Sequence, residues 1–143
     1  MKFGPRLLRN QDGVAAIEAA FAVPILVVML WMFLQLAQVY RAYAGIQMAL
    51  GEGARYATLC LNPGAAGCSV PTGQQVHDQV MATVYGIGPG TFNANTPTLQ
   101  GGGGGAGKYY DISVTYSQPT SLLLVPGPTI NIGRSKRVWV ATS

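Results

Sequence analysis

The dominant pattern along the chain is an apolar run from Val14 to Tyr40, in which neither a charged nor a polar residue occurs between Ala19 and Leu34. Glu18 is the only charge inside the run. A helix rises 1.5 Å per residue, so about 20 residues cross a hydrocarbon core of roughly 30 Å; Val14 to Tyr40 is long enough to span a bilayer. The periodicity does not stop there. Val39, Tyr43, Ile46, Leu50, Gly53, Ala57 and Cys60 recur at steps of three and four, which predicts that the helix continues outward to about Thr58. Within that outer half Gly45, Ala49, Gly53 and Ala57 form a ladder of small side chains that lets another element approach closely, either a helix of another subunit or the protein's own sheet.

Downstream the pattern changes. Thr72 is placed to cap a second helix in which Val76, Val80 and Val84 lie four apart, ending by Gly86 to Pro89. Thr91 to Gly107 lacks periodicity and reads as loop, with a glycine run at 101–105. Tyr109 to Ser117 alternates strictly: Tyr110, Ile112, Val114 and Tyr116 point one way, Asp111, Ser113, Thr115 and Ser117 the other. A Pro-rich connection follows from Gln118 to Pro128, then one long or two short closing strands over Thr129–Gly133 and Lys136–Ala141. The expected fold class is α+β: a long N-terminal transmembrane helix, a short second helix and a small antiparallel sheet laid against the long helix. The expected layout is a basic leader (1–13), a membrane helix (14–40) and one exported domain (41–143).

Charge sets the orientation. Lys2, Arg6 and Arg9 precede the apolar run, opposed only by Asp12, so the N-terminus is expected on the cytoplasmic side and everything after Tyr40 outside. The formal net charge is +4, of which the leader supplies +2, and the remaining +2 implies no nucleic-acid partner. In an oxidising compartment Cys60 and Cys68, separated by a short segment with Pro63, Gly64 and Gly67, are expected to form a disulfide; two free thiols are the alternative.

Candidate chemistry is sparse. Gly102 to Lys108 fits G-x-x-x-x-G-K, but Tyr109 stands where a magnesium-binding hydroxyl belongs and a strand follows where a phosphate loop needs a helix. His77 is the sole histidine and reads as a surface residue beside Asp78; no paired acid and base, no metal set, no cofactor site and no small-molecule substrate is indicated. Arg134, Lys136 and Arg137 read as a charged strand edge that discourages pairing with other chains. Pro24, inside the apolar helix, removes one backbone bond and predicts a kink or local melting, as a feature that membrane neighbours tolerate or as an assembly hinge.

The order basic leader, Gly13, Val14, then Glu18 and an apolar helix resembles a type IV prepilin signal. The string Gly13-Val14-Ala15-Ala16-Ile17-Glu18-Ala19-Ala20-Phe21-Ala22-Val23-Pro24 is similar to the start of TadE-like proteins, minor pilins or pseudopilins of tight-adherence (Flp-type) pilus systems. Gly53-Ala54-Arg55-Tyr56-Ala57 resembles the end of that family's long helix, and Asp111 to Tyr116 with Thr129-Ile130 its C-terminal half. Ala19 departs from the pattern, which usually has an aromatic after the glutamate. The resemblance implies a prepilin peptidase cut between Gly13 and Val14, partnership with other pilin or pseudopilin subunits and the assembly platform, and residence in the inner membrane. It also implies that the new amine at Val14 meets Glu18 of a neighbouring subunit. A carboxylate and an amine, both charged in water at neutral pH, each need a partner in lipid; the alternative is a Glu18 that snorkels to the headgroup edge. Two rival outcomes remain: a signal peptide cut after Ala44, at Ala42-Tyr43-Ala44, or an uncleaved single-pass domain that binds a surface ligand.

Overall fold

The computed structural model describes residues 11–101, 107–122 and 125–141; the leader residues Lys2, Arg6 and Arg9, and the glycine run from Gly102 to Gly105, lie outside them. Six elements follow in order: α1 (Gln11–Ala57), α2 (Gly73–Val84), β1 (Thr91–Ala94), β2 (Leu99–Gly101), β3 (Lys108–Leu122) and β4 (Val125–Val140). The fold is α+β, as the pattern predicts. β3 is the organising strand of a four-stranded antiparallel sheet, pairing with β4 along its whole length and with β1 and β2 at separate positions.

α1 is one continuous helix of 47 residues and passes Pro24 without a break. Its two halves live in different surroundings. From Gly13 to Leu34 every residue is exposed, whereas Ala42, Gly45, Ile46, Ala49, Leu50, Gly53 and Ala57 are buried on one face. Exposed leucines, valines and phenylalanines along about six turns are untenable in water; a helix apolar all round belongs in lipid or a large core. The buried stripe packs on α2 and on β3, so the small-residue ladder serves the chain's own domain. A Cβ on Gly45 would press on Ile87, and one on Gly53 would collide with Val80 Cγ2.

α2 starts where expected. Thr72 accepts from the Gln75 amide through its Oγ1 (3.3 Å), and the Gln75 side chain accepts from the Thr72 amide (2.9 Å), a reciprocal capping box. Val76, Val80 and Val84 form its buried face, each worth about 1.5–3 kcal/mol when fully covered. Cys60 and Cys68 are disulfide-bonded with Cα atoms 5.3 Å apart, tying down the turn that leads from α1 to α2. Tyr110 Oη then donates to the Pro71 carbonyl (2.8 Å), fixing that passage to the sheet, and burial pushes its phenol above the usual tyrosine range.

Two expectations need correction. Thr91 to Gly107, read as loop, contains β1 and β2. Both are too short to show alternation, and both exist because β3 offers them partners: Thr91–Ala94 against Ser117–Val114, and Leu99–Gly101 against Tyr110–Lys108. Asn95 adds to this, its amide donating to the Asp111 carbonyl (2.9 Å) while its Oδ1 accepts from the Ser113 amide (2.6 Å). The second correction concerns Gln118 to Pro128, read as a connection. β3 continues through it to Leu122, and β4 begins at Val125 as a single long strand, so the segment is the far end of a hairpin. A register shift between Pro119 and Ser121 accommodates the prolines.

Buried Tyr110, Ile112, Val114 and Tyr116 face α1 and α2 as the alternation requires. On the opposite face Asp111 lies across from Arg137 and pairs with its guanidinium (2.9 and 3.0 Å), which holds the carboxyl below the usual carboxylate range.

Gly51 and Gly53 separate helix propensity from packing. Gly51 has no neighbour within 4 Å of an added Cβ, so Gly51→Ala should stabilise the domain by up to about 1 kcal/mol. Gly53→Ala should lower stability despite the same propensity gain, because over-packing against buried Val80 costs about 1–3 kcal/mol. Thermal unfolding of the two variants, followed by circular dichroism in detergent, is expected to shift in opposite directions.

Candidate functional site

The head of α1 is geometrically open. An added Cβ at Gly13 would meet nothing within 4 Å, and Val14 and Glu18 are exposed on the helix surface. Val14 and Glu18 lie four residues apart, hence on the same face one turn apart. Within one chain nothing packs against Gly13, and the Glu18 side chain is exposed.

At the other end of the apolar run the structure reveals a cluster that periodicity in the strand region does not announce. β3 runs antiparallel to α1: Ile112 lies beside Gly53, Gln118 beside Gln38, and Ser121 beside Gln35 and Trp31. Gln118 is 2 % exposed, the one buried polar side chain among the described residues. Its Nε2 donates to Gln38 Oε1 (3.1 Å) and its Oε1 accepts from Tyr116 Oη (2.8 Å), which in turn accepts from the Gly90 amide (3.0 Å). Gly90 is required there, since a Cβ would enter the Tyr116 ring. Every member of the relay is satisfied, the condition under which a buried polar network stabilises.

A turn further down, the Ser121 carbonyl faces Pro126 across the hairpin, and a proline has no N–H to offer. Trp31 Nε1 (2.9 Å) and Gln35 Nε2 donate to that carbonyl instead, while Gln35 Oε1 accepts from the Ser121 amide (3.4 Å). The hairpin is therefore clamped to the membrane-type half of α1. Trp31, Gln35, Gln38 and Ala42 follow one another at steps of four, three and four and lead into the buried stripe. That spacing was the available sequence signal, hidden because Trp31 passes for one more apolar residue.

The remaining candidates stay apart. His77 Nδ1 is 3.0 Å from Asp78 Oδ1 on the outer side of α2, and this contact together with Gln74 holds the Asp78 carboxyl below its usual range. Among the described residues no group of three or more His, Cys, Asp or Glu is arranged to hold a metal ion. Lys108 opens β3 directly, so its glycine-rich approach leads into a strand. Arg134 Nη2 donates to Tyr43 Oη (3.2 Å) and lies over that ring (5.4 Å to the centroid), while Arg137 lies over Tyr109 (4.3 Å).

These features define a class: a small α+β domain built on the outer half of a single long helix whose inner half is apolar enough to anchor in a membrane. Residues 13–55 match the family model described as TadE-like protein, the family its N-terminal motif resembles. The match begins at Gly13 and covers the helix almost to its end. No curated protein and no solved structure matches the chain.

The relay through Gln118 is testable. Gln118→Met keeps the volume but strips Tyr116 and Gln38 of their partner; leaving a buried donor unpaired costs about 1–3 kcal/mol. Chemical denaturation of the variant in detergent should show a loss of that size, and Gln38→Met should show less because Gln38 is not buried.

Proposed function

We propose that this chain is a pilus assembly component, a TadE-like pseudopilin or minor pilin. It is cut by a prepilin peptidase between Gly13 and Val14, held in the inner membrane by α1 with its N-terminus cytoplasmic, and exposes its sheet domain on the far side. The observation that carries the reading is the coincidence of the family match with the motif: the matched segment starts at the glycine of the cut site and includes Glu18 and the whole apolar run. The physics of Glu18 supports the role. A carboxylate inside a membrane span costs about 2.5–3.5 kcal/mol on insertion scales, and a neighbouring subunit's Val14 amine offsets that cost while fixing the axial register of packed helices. The open surface around Gly13, Val14 and Glu18 leaves room for both partners.

A signal-peptide cut after Ala44 is disfavoured by packing. It would sever α1 in mid-helix, remove the Trp31, Gln35 and Gln38 contacts to the hairpin, and detach buried Ala42 from the core. An uncleaved anchor keeps these contacts and differs only at the leader.

N-terminal sequencing of native protein separates the readings, with Val14 as the expected first residue. A start at Gly45 or an intact leader overturns the cut. Gly13→Leu is expected to leave the precursor unprocessed, visible as slower gel mobility. Glu18→Ala is expected to insert and fold normally yet abolish or strongly reduce piliation; normal pili in that variant remove the register role from the carboxylate.

A further inference from the structure

The alternation that turns Tyr110, Ile112, Val114 and Tyr116 toward the helices turns the residues between them to the outer face of the sheet. The β3–β4 register lays that face out in rows. Tyr109 lies beside Trp139, Asp111 beside Arg137, and below them only Ser, Thr, Asn and Gly follow down to the row of Ser117 and Asn131. No aliphatic residue other than threonine occurs there. The acid and the base pair with each other (2.9 and 3.0 Å), so this face carries no net charge.

Two features stand out on it. Trp139 is 51 % exposed. Its indole sits against Tyr109 (centroids 5.0 Å apart, planes at 59°), Tyr109 carries the Arg137 guanidinium over its ring at 4.3 Å, and Asp111 holds Arg137. The indole is thus fixed in place before any ligand arrives, which lowers the entropy lost on binding. The bilayer is not its partner, because Tyr109 to Ser121 is about 40 Å of strand at the usual rise, and Ser121 is the part held at Trp31. The second feature is a trough of about 430 Å³ that opens where Gly133 has no side chain, between Thr91, Asn93, Ser117 and Asn131. Thr115 Oγ1 donates to the Asn93 carbonyl (3.2 Å); among the described residues the side-chain amides of Asn93 and Asn131 and the hydroxyls of Thr91 and Ser117 have no hydrogen-bond partner.

We propose that this outer face binds an extended neutral polysaccharide, with one sugar ring stacked on Trp139 and sugars further along the polymer hydrogen-bonded by Asn93 and Asn131. The negative π-face of an indole attracts the slightly positive C–H groups on one side of a sugar ring. An amide suits neighbouring sugar hydroxyls, donating to one and accepting from the next. Trp139 and Asn131 lie about 26 Å apart along β4 at the usual rise, so a polymer reaches both and a single sugar does not. Charge and composition point the same way. A polyanion finds no unpaired cation on this face among the described residues, and a protein partner finds none of the aliphatic side chains that interface cores bury. Access to such a polymer in the cell rests on the exported orientation proposed above; the binding chemistry does not.

The test is isothermal titration calorimetry of the purified full-length chain in lauryldimethylamine oxide, a detergent without a sugar headgroup. Barley β-glucan, galactomannan and dextran are the neutral probes, with polygalacturonate and glucose as comparisons. At least one neutral polymer is expected to bind saturably. Trp139→Ala is expected to weaken that binding at least about tenfold, and the double variant Asn93→Ala with Asn131→Ala about fivefold or more. Both asparagines are exposed, so the double variant decides the matter if removal of the indole unfolds the sheet. No binding of any neutral polymer, unchanged affinity in either folded variant, binding of polygalacturonate alone, or glucose bound as tightly as the polymer overturns the inference. Protease digestion of spheroplasts reports the orientation separately: a protected domain that still binds the polymer in calorimetry overturns the exported reading and leaves the site standing.

Discussion

Everything in this molecule depends on the outer half of α1 being buried on one face by its own domain. Ala42, Gly45, Ile46, Ala49, Gly53 and Ala57 are small or branched enough for α2 and β3 to approach the helix backbone closely, and the core forms along that line. With helix and domain rigidly joined, the position of the helix in a bilayer sets the position of the sheet. A helix merely tethered to a domain would carry no such information.

That joining bears on the role proposed for Glu18. The glutamate is at one end of a rod of 47 residues, and the domain is fused to the other. On the proposed reading, a register set at Glu18 is carried along roughly 60 Å of helix at the standard rise to the surface that the domain presents. In a filament or an assembly machine a shift of one residue at the base would move every exposed contact by the same step. The Gln38–Gln118–Tyr116 relay and the Ser121 clamp prevent the hairpin from rotating away from the rod, which keeps the transmitted geometry unique.

The β3–β4 hairpin divides into a charged and an uncharged half. The charged half pairs Asp111 with Arg137 across the strands and stacks Arg137 on Tyr109, so it is built for water. The uncharged half exposes prolines and aliphatic side chains, which in water would form a sticky edge.

The long helix, its apolar inner half, the cap at Thr72, the valine face of α2 and the alternation of β3 were all legible in the chain, because each is a local rule: a period, a cap or an alternation that neighbouring residues express by themselves. The motif from Gly13 to Pro24 was legible for the same reason, and so was the Cys60–Cys68 pair, whose short loop needs no distant partner. The tertiary structure alone decided the rest. β1 and β2 are too short to declare themselves and exist only because β3 is beside them. The Pro-rich stretch from Gln118 to Pro128 signals a break locally, yet α1 supplies through Trp31 and Gln35 the donors that the prolines withhold, and the strands persist. The small-residue ladder had two equally good partners on paper. Val80 of α2 and Ile87, in the turn that follows α2, occupy it within the same chain.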